Sequence, residues 1–250
     1  MAVSPLALPF EEAIAYFRSK LNIPSERWDQ IVAEAHDWAF AVAGVTKGEL
    51  LEDLRQAIEK ALTEGTTLQE FRQDFDEIVE QRGWSYRGGR DWRTAIIFGT
   101  NIRVAYAAGR YRQMTEPAVL AARPYWMWRH GDSYQPRPLH QEWDGLILAA
   151  SDPWWQTHYP PCGFGCRCRV FSLSTTEVER MGREPDQAPN DGFYTWTDSA
   201  GNSQMLPKGV DPGWGYAPGA SLPEQRKQIL QRTLDRLPLR LKREVQDDIS

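Results

Sequence analysis

All three cysteines of this 250-residue chain fall within seven positions: Cys162, Cys166 and Cys168, in the stretch HYPPCGFGCRCRV from His158 to Val170. Thiolates and imidazoles are the donors zinc takes in tetrahedral array. Cys166 and Cys168 can reach one ion together where the backbone turns, and Cys162 can join them across the flexible GFG. His140, in QPRPLHQEWDG, is the foremost fourth donor, with His130, His158 and Asp144 as alternates. Such a set would form a closed structural staple in a segment rich in proline and glycine, where the metal replaces a missing aliphatic core. The cysteines also read as small buried hydrophobes, and C-x3-C-x-C is not a common zinc-knuckle spacing. Their odd number disfavours a closed disulfide framework.

His130, His140, Asp144 and His158 are also the residue types used in acid–base work and hydrolytic metal sites. Against a catalytic role, the chain has no HExxH, Walker loop, GxSxG or kinase signature. His36, in AEAHDWAF, is expected to be structural.

Two regions of different texture must position these side chains. The first, residues 1–116, reads as helical. Pro9 can open a helix from Phe10 to about Leu21. Ser25 can cap a second, in which Trp28, Ile31, Val32, Ala35, Trp38, Ala39 and Val42 share a face. Thr46 with Glu49, and Thr67 with Glu70, have capping-box spacing, and Gly65 and Gly83 are stop signals. A long alanine-rich helix from Trp92 to Thr115 is suited to a central post. Its arginines 93, 103, 110 and 112 lie too far apart angularly for one clean stripe.

The second region, 117–222, is irregular, with short strands at YWMWRH, LILAA and CRCRVFSLS, and a helical turn or tight loop at HQEWDG. Ser174 and Glu177 cap a brief helix ending at Gly182, and FYTWTDSAGNSQML folds as a hairpin turning at Ala200–Asn202. Residues 223–250 form a helical tail broken at Pro238, either an arm for a partner or a fraying terminal helix. The fold class is therefore α+β: an N-terminal helical region, a small irregular region with short strands, and a terminal helix.

Composition is that of a globular protein, 41% hydrophobic and 25% charged with net charge −5. Charge is unevenly spread. Residues 1–83 carry 16 acidic and 8 basic side chains, whereas residues 84–170 carry 6 acidic groups and 11 basic ones, all arginine. This suggests an acidic helical face and an arginine-bearing centre. Eleven tryptophans, many beside Pro, Gly, Arg or Asp, plug an irregular core or meet a neighbouring chain. The start MAVSPLALPFEEAIAYF has no leader pattern and no apolar run spans a bilayer, so a reducing cytoplasm is the expected site of synthesis.

RPLHQEWDG followed by DPWWQTHYPPCGFGCRCRV resembles the central motif of the Mu F-like head morphogenesis proteins, the minor head proteins of tailed phages. His140, Gly145, Pro160, Pro161, Cys166, Arg167 and Cys168 match it. PFEEAIAYFRSK, HDWAFAVAG, GTTLQEFRQDF, GTNIRVAYAAGRYRQM and GVDPGWGYAPGAS extend the likeness over most of residues 9–220. In the family pattern asparagine is commoner where Cys162 stands. The shared donors then reduce to His140, Cys166 and Cys168, one ligand short of a closed shell unless Asp144, His130 or His158 completes it.

The resemblance implies a virion component made in the host bacterial cytoplasm and housed in the head interior near the portal. It would act in capsid assembly and in DNA packaging or delivery, with portal, capsid or scaffold proteins and packaged DNA as partners and no membrane. The alternative is a metal-dependent hydrolase or nuclease carried in the virion and using His140.

Overall fold

Capping signals and apolar stripes produce the helices of the first half. The computed structural model describes residues 10–133 and 135–249, with side chains described to residue 245. Pro9, the expected helix opener, and the first nine residues of the start lie outside it. Helix α1 (Glu11–Arg18) buries Ala13, Ile14 and Phe17. Helices α2 (Gly48–Glu64) and α3 (Leu68–Arg82) both end in glycines at left-handed φ, Gly65 at 73° and Gly83 at 60°, a conformation in which a Cβ would be strained. The Thr67–Glu70 box forms as read. The Thr67 hydroxyl accepts from the Glu70 amide at 3.3 Å, and the Glu70 carboxylate accepts from the Thr67 amide at 2.6 Å. Phe17, Leu51, Leu54, Ile58, Phe71 and Phe75 fill the core between these helices and α4 (Arg90–Thr115). Helix α4 gives Ile97 and Ala105 to this core, and Val104 and Met114 to a second one beyond it.

Three short antiparallel strands frame that second core. Their order is β4 (Ile147–Ala149), β3 (Tyr125–Arg129), β5 (Arg169–Leu173), with Trp126 opposite Leu148 and Ser172, and Trp128 opposite Val170. Strand alternation turns Trp126 and Trp128 inward. Short helices α5 (Pro117–Ala122), α6 (Pro138–Glu142), α7 (Trp155–His158) and α8 (Thr175–Arg180) connect and cover the sheet. The Ser174–Glu177 box caps α8 as expected. Strands β6 (Phe193–Thr197) and β7 (Ser203–Pro207) form the expected hairpin. Of the eleven tryptophans, seven are buried: 38, 126, 128, 143, 154, 155 and 214. Core filling is therefore their main role.

The architecture is mixed helix and strand, as read, with three local differences. Residues 25–42 do not form a helix. They make two 3-10 turns, Trp28–Gln30 and Ala33–Asp37, between β1 (Leu21–Asn22) and β2 (Ala39–Phe40). The parallel β1–β2 ladder ties the ends of the segment together, Leu21 N–H donating to Trp38 O and Ile23 N–H to Phe40 O, both at 2.9 Å. Its β-branched and aromatic residues are weak helix formers, so tertiary pairing wins.

Thr46 does not cap α2, whose first turn begins after Lys47. Glu49 bonds Arg82 instead, and the Gly48 amide donates to Glu244 at 2.7 Å. That carboxylate comes from the tail, whose helices α9 (Pro223–Arg236) and α10 (Leu239–Ile249) fold back on the chain. Ile229, Leu234, Leu237, Leu241 and Val245 pack on Ile23, Ile31, Val32, Ala35 and Trp38. Finally, the strand at CRCRVFSLS starts only at Arg169, leaving all three cysteines in the preceding loop. No described helix is long and apolar enough to cross a membrane.

Candidate metal centre

Helix α6 holds His140 at 2% exposure between two indoles. Trp143, one turn on, stacks on the imidazole with centroids 5.2 Å apart, and Trp128 of β3 meets it edge-on at 5.4 Å. The Trp128 indole also donates to the His140 carbonyl at 3.3 Å. The ring's Nε2 lies 2.7 Å from the carbonyl oxygen of Gly209. A carbonyl only accepts, so Nε2 carries a hydrogen and the ring turns Nδ1 to the other side, where it can serve as a ligand atom. Gly209 has φ +83°, and a Cβ there would collide with the Trp143 ring. Glycine at this position thus lets the loop after β7 approach closely enough to orient the histidine.

Nδ1 faces two sulfurs, Cys168 Sγ at 3.6 Å and Cys166 Sγ at 3.7 Å. A tetrahedral ion with Zn–N and Zn–S bonds of ordinary length separates such a nitrogen and sulfur by about 3.6 Å. The donor atoms of His140, Cys166 and Cys168 all lie within 4.8 Å of one another, and all three residues are buried. Backbone close approach builds this convergence. A Cβ at Gly131 would collide with the Arg167 carbonyl, and one at Gly163 with the Arg137–Asp211 ion pair, whose Arg137, just before α6, also donates to Phe164 O of the cysteine loop at 3.2 Å. Asp211 N–H also donates to Cys162 O at 2.9 Å. The Pro160–Pro161 peptide bond is cis.

The two thiols of the trio are electrostatically linked. Cys166 is held well below the ordinary thiol range, first by the hydrogen bond from Cys168 and further by His140, and Cys168 is pushed up by that same bond and by burial. One member of the pair therefore gives up its proton readily, which is the requirement for a thiolate ligand.

Cys162 stands apart from the trio. Its thiol is fully buried, burial pushes its pKa well up, and it donates to the His158 carbonyl at 3.3 Å. The proposed alternates do not join either among the described residues. Asp144 accepts from the His130 amide at 2.8 Å and pairs with Arg129 at 3.3 Å. His158 stacks on Trp154 with centroids 4.3 Å apart, and burial lowers its pKa to about 4. His36 is likewise lowered to about 4, by burial and then by Lys20.

The structure adds partners that spacing did not reveal. Gly209, Trp128, Trp143 and the Arg137–Asp211 pair surround the trio from three segments: β3, the stretch around α6 and the loop after β7. The one visible signal was the glycine and aspartate of GVDPGW, which read only as loop.

The helices of the first half and the small tryptophan-filled sheet with its His–Cys–Cys cluster carry the motifs that resemble the Mu F-like proteins. Residues 52–171 match the family described as "Phage Mu protein F like protein", so the chain is Mu F-like over that span. It is 33% identical over 246 residues to "Putative capsid assembly protein F" of Escherichia phage Mu, an alignment covering 86% of this chain and 55% of that protein. It is 35% identical over 165 residues to "Mu-like prophage FluMu F protein" of Haemophilus influenzae, covering 62% and 39%. The chain thus spans about half the length, or less, of these curated relatives. No solved structure matches it.

Proposed function

We propose that this chain is a minor head protein of a tailed phage, acting in capsid assembly and in packaging or delivery of the genome from inside the head near the portal. The reading rests on one observation: 33% identity, over 86% of the chain, to a protein named for capsid assembly. Its partners are then portal, capsid or scaffold proteins. The acidic first half and the arginine-bearing centre offer faces of opposite sign for them.

Within that role the His140–Cys166–Cys168 centre is a structural fastening for zinc. Three of the four donors such a site needs are in place: one imidazole with its far nitrogen fixed by a carbonyl, and two buried sulfurs each at zinc-bridging distance from it, with the fourth position left to a donor outside the trio. Zinc there would supply cross-linking of α6, the cysteine loop and, through Gly209, the loop after β7. His140 orients the nitrogen, and the thiol pair supplies the charge. Trp128 and Trp143 exclude water from the ring.

The test of the head role is a proteome of mature particles together with deletion of the gene. The chain is expected in purified virions at few copies per head, and its loss is expected to yield defective heads. A chain absent from particles overturns the proposal. Metal-dependent nucleic-acid cleavage abolished by His140→Ala in a still-folded protein would replace the structural centre with a catalytic one.

A further inference from the structure

Beside the metal centre lies an open cleft of about 750 Å³ between α4 and the cysteine loop. Four arginines line it: Arg103 and Arg110 from α4, Arg167 between the two sulfur donors, and Arg169 at the start of β5. Arg103 and Arg110 are seven residues apart, two helical turns, and so share one face of α4. No carboxylate lines this cleft among the described residues.

None of the four arginines makes an ion pair with a described residue, whereas Arg55, Arg72, Arg82 and Arg90 of the first half all do. Their hydrogen bonds go to neutral oxygens: Arg103 to Gly99 O at 2.7 Å, Arg110 to Gln113 Oε1 at 3.0 Å, and Arg167 to Asp132 O at 3.0 Å. Each guanidinium has five N–H donors, so these bonds aim the groups and leave most donors unused. Burial and the neighbouring Arg167 act against the Arg103 charge, Cys166 offsets part of that, and the other three guanidiniums are exposed, so an anion entering the cleft is attracted by all four. Two exposed aromatic rings, Tyr106 (47%) and Phe171 (42%), flank the same cleft.

We infer that this cleft binds the phosphodiester backbone of nucleic acid. Arginine forks match phosphate oxygens bidentately, and exposed aromatic faces give bases a stacking surface where a strand is unpaired. An acidic peptide would use the arginines and leave the two rings without a role, so nucleic acid fits more of the site. The inference rests on the head-protein reading for the presence of nucleic acid beside the chain, and on the cleft alone for where contact is made.

The experiment is fluorescence anisotropy with the full zinc-loaded chain, using a labelled single strand of twenty nucleotides and, separately, the matching duplex. Four neutralised phosphates predict that strand affinity falls about 50-fold between 50 and 200 mM salt. Arg110→Ala with Arg169→Ala is expected to weaken low-salt binding at least about ten-fold and to halve the salt slope, since two of the four contacts are gone. Arg180→Ala with Arg243→Ala, an equal charge change away from the cleft, is expected to leave binding near the parent value. Binding of strand and duplex alike assigns the contact to backbone only, and tighter strand binding adds stacking on Tyr106 and Phe171.

Three results would overturn the inference: no binding at 50 mM salt, equal loss in the two double variants, or equally tight binding of a poly-glutamate peptide. Incorporation of the cleft variant into heads is scored in parallel. Failed binding by a chain still present in virions sinks the cleft alone, and absence of the parent chain from virions sinks the head reading.

Discussion

The orientation of one imidazole decides what the cysteine loop can do. His140 can offer Nδ1 to two sulfurs only because Nε2 is committed to Gly209 O. Gly209→Ala adds a Cβ at positive φ that collides with Trp143. It is expected to destabilise the fold by about 1–3 kcal/mol through overpacking and to lower metal affinity, read by urea unfolding and a competitive chelator titration. Cys162 has the right chemistry in the wrong place, turned toward His158 O. Cys162→Ala is therefore expected to keep a full equivalent of zinc in elemental analysis, while Cys166→Ala and Cys168→Ala lose it.

A second residue-scale prediction comes from His36 and His158, both lowered from 6.5 to about 4, chiefly by burial. As pH falls between those values the unfolded chain takes up protons at these rings and the folded chain does not. Their contribution to stability is present above about 6.5 and is lost as pH falls toward 4. The urea midpoint of chelator-treated protein is expected to drop across that window, and His36→Gln with His158→Gln is expected to flatten the drop. A midpoint constant from pH 7 to pH 4.5 contradicts it.

At the scale of elements, what could be read from sequence was what is local. The boxes Thr67–Glu70 and Ser174–Glu177 join residues three apart, and both form. Thr46–Glu49 has the same spacing but fails, because Arg82 takes Glu49 and the tail's Glu244 reaches the Gly48 amide. No window of sequence around residue 46 contains that competitor. Residues 25–42 fail as a helix for a related reason. Their apolar spacing is real, and Ile31, Val32, Ala35 and Trp38 are buried, but against α9 and α10 and from 3-10 turns whose ends a ladder ties together. Glu244→Gln removes a carboxylate from a helix N-terminus and is expected to cost about 0.5–1 kcal/mol, measured by denaturant unfolding. Thr46→Ala is expected to cost little.

Over the whole molecule, helix α4 and one aspartate join parts far apart in sequence. α4 contributes Ile97 and Ala105 to the helical core and Val104 and Met114 to the tryptophan core. Asp37 accepts from the Tyr16 hydroxyl at 3.0 Å, the Gly219 amide at 2.5 Å and the Ser221 amide at 2.9 Å, tying α1 to the loop that leads into α9. The candidate site was partly legible at this scale. Donor chemistry and the proline–glycine frame singled out His140, Cys166 and Cys168, but Cys162 shares that frame, and only the folded loop separates it from the others. The arginines of α4 were visible as residues; that two of them meet Arg167 and Arg169 depends on the packing of α4 against the cysteine loop.

Native mass spectrometry of the full chain tests the central claim most directly. The folded parent protein and Cys162→Ala are expected to carry one zinc ion each, and His140→Ala none, with a lower unfolding midpoint. A folded parent chain purified with zinc present that carries no metal, or His140→Ala that retains it, would contradict the fastening.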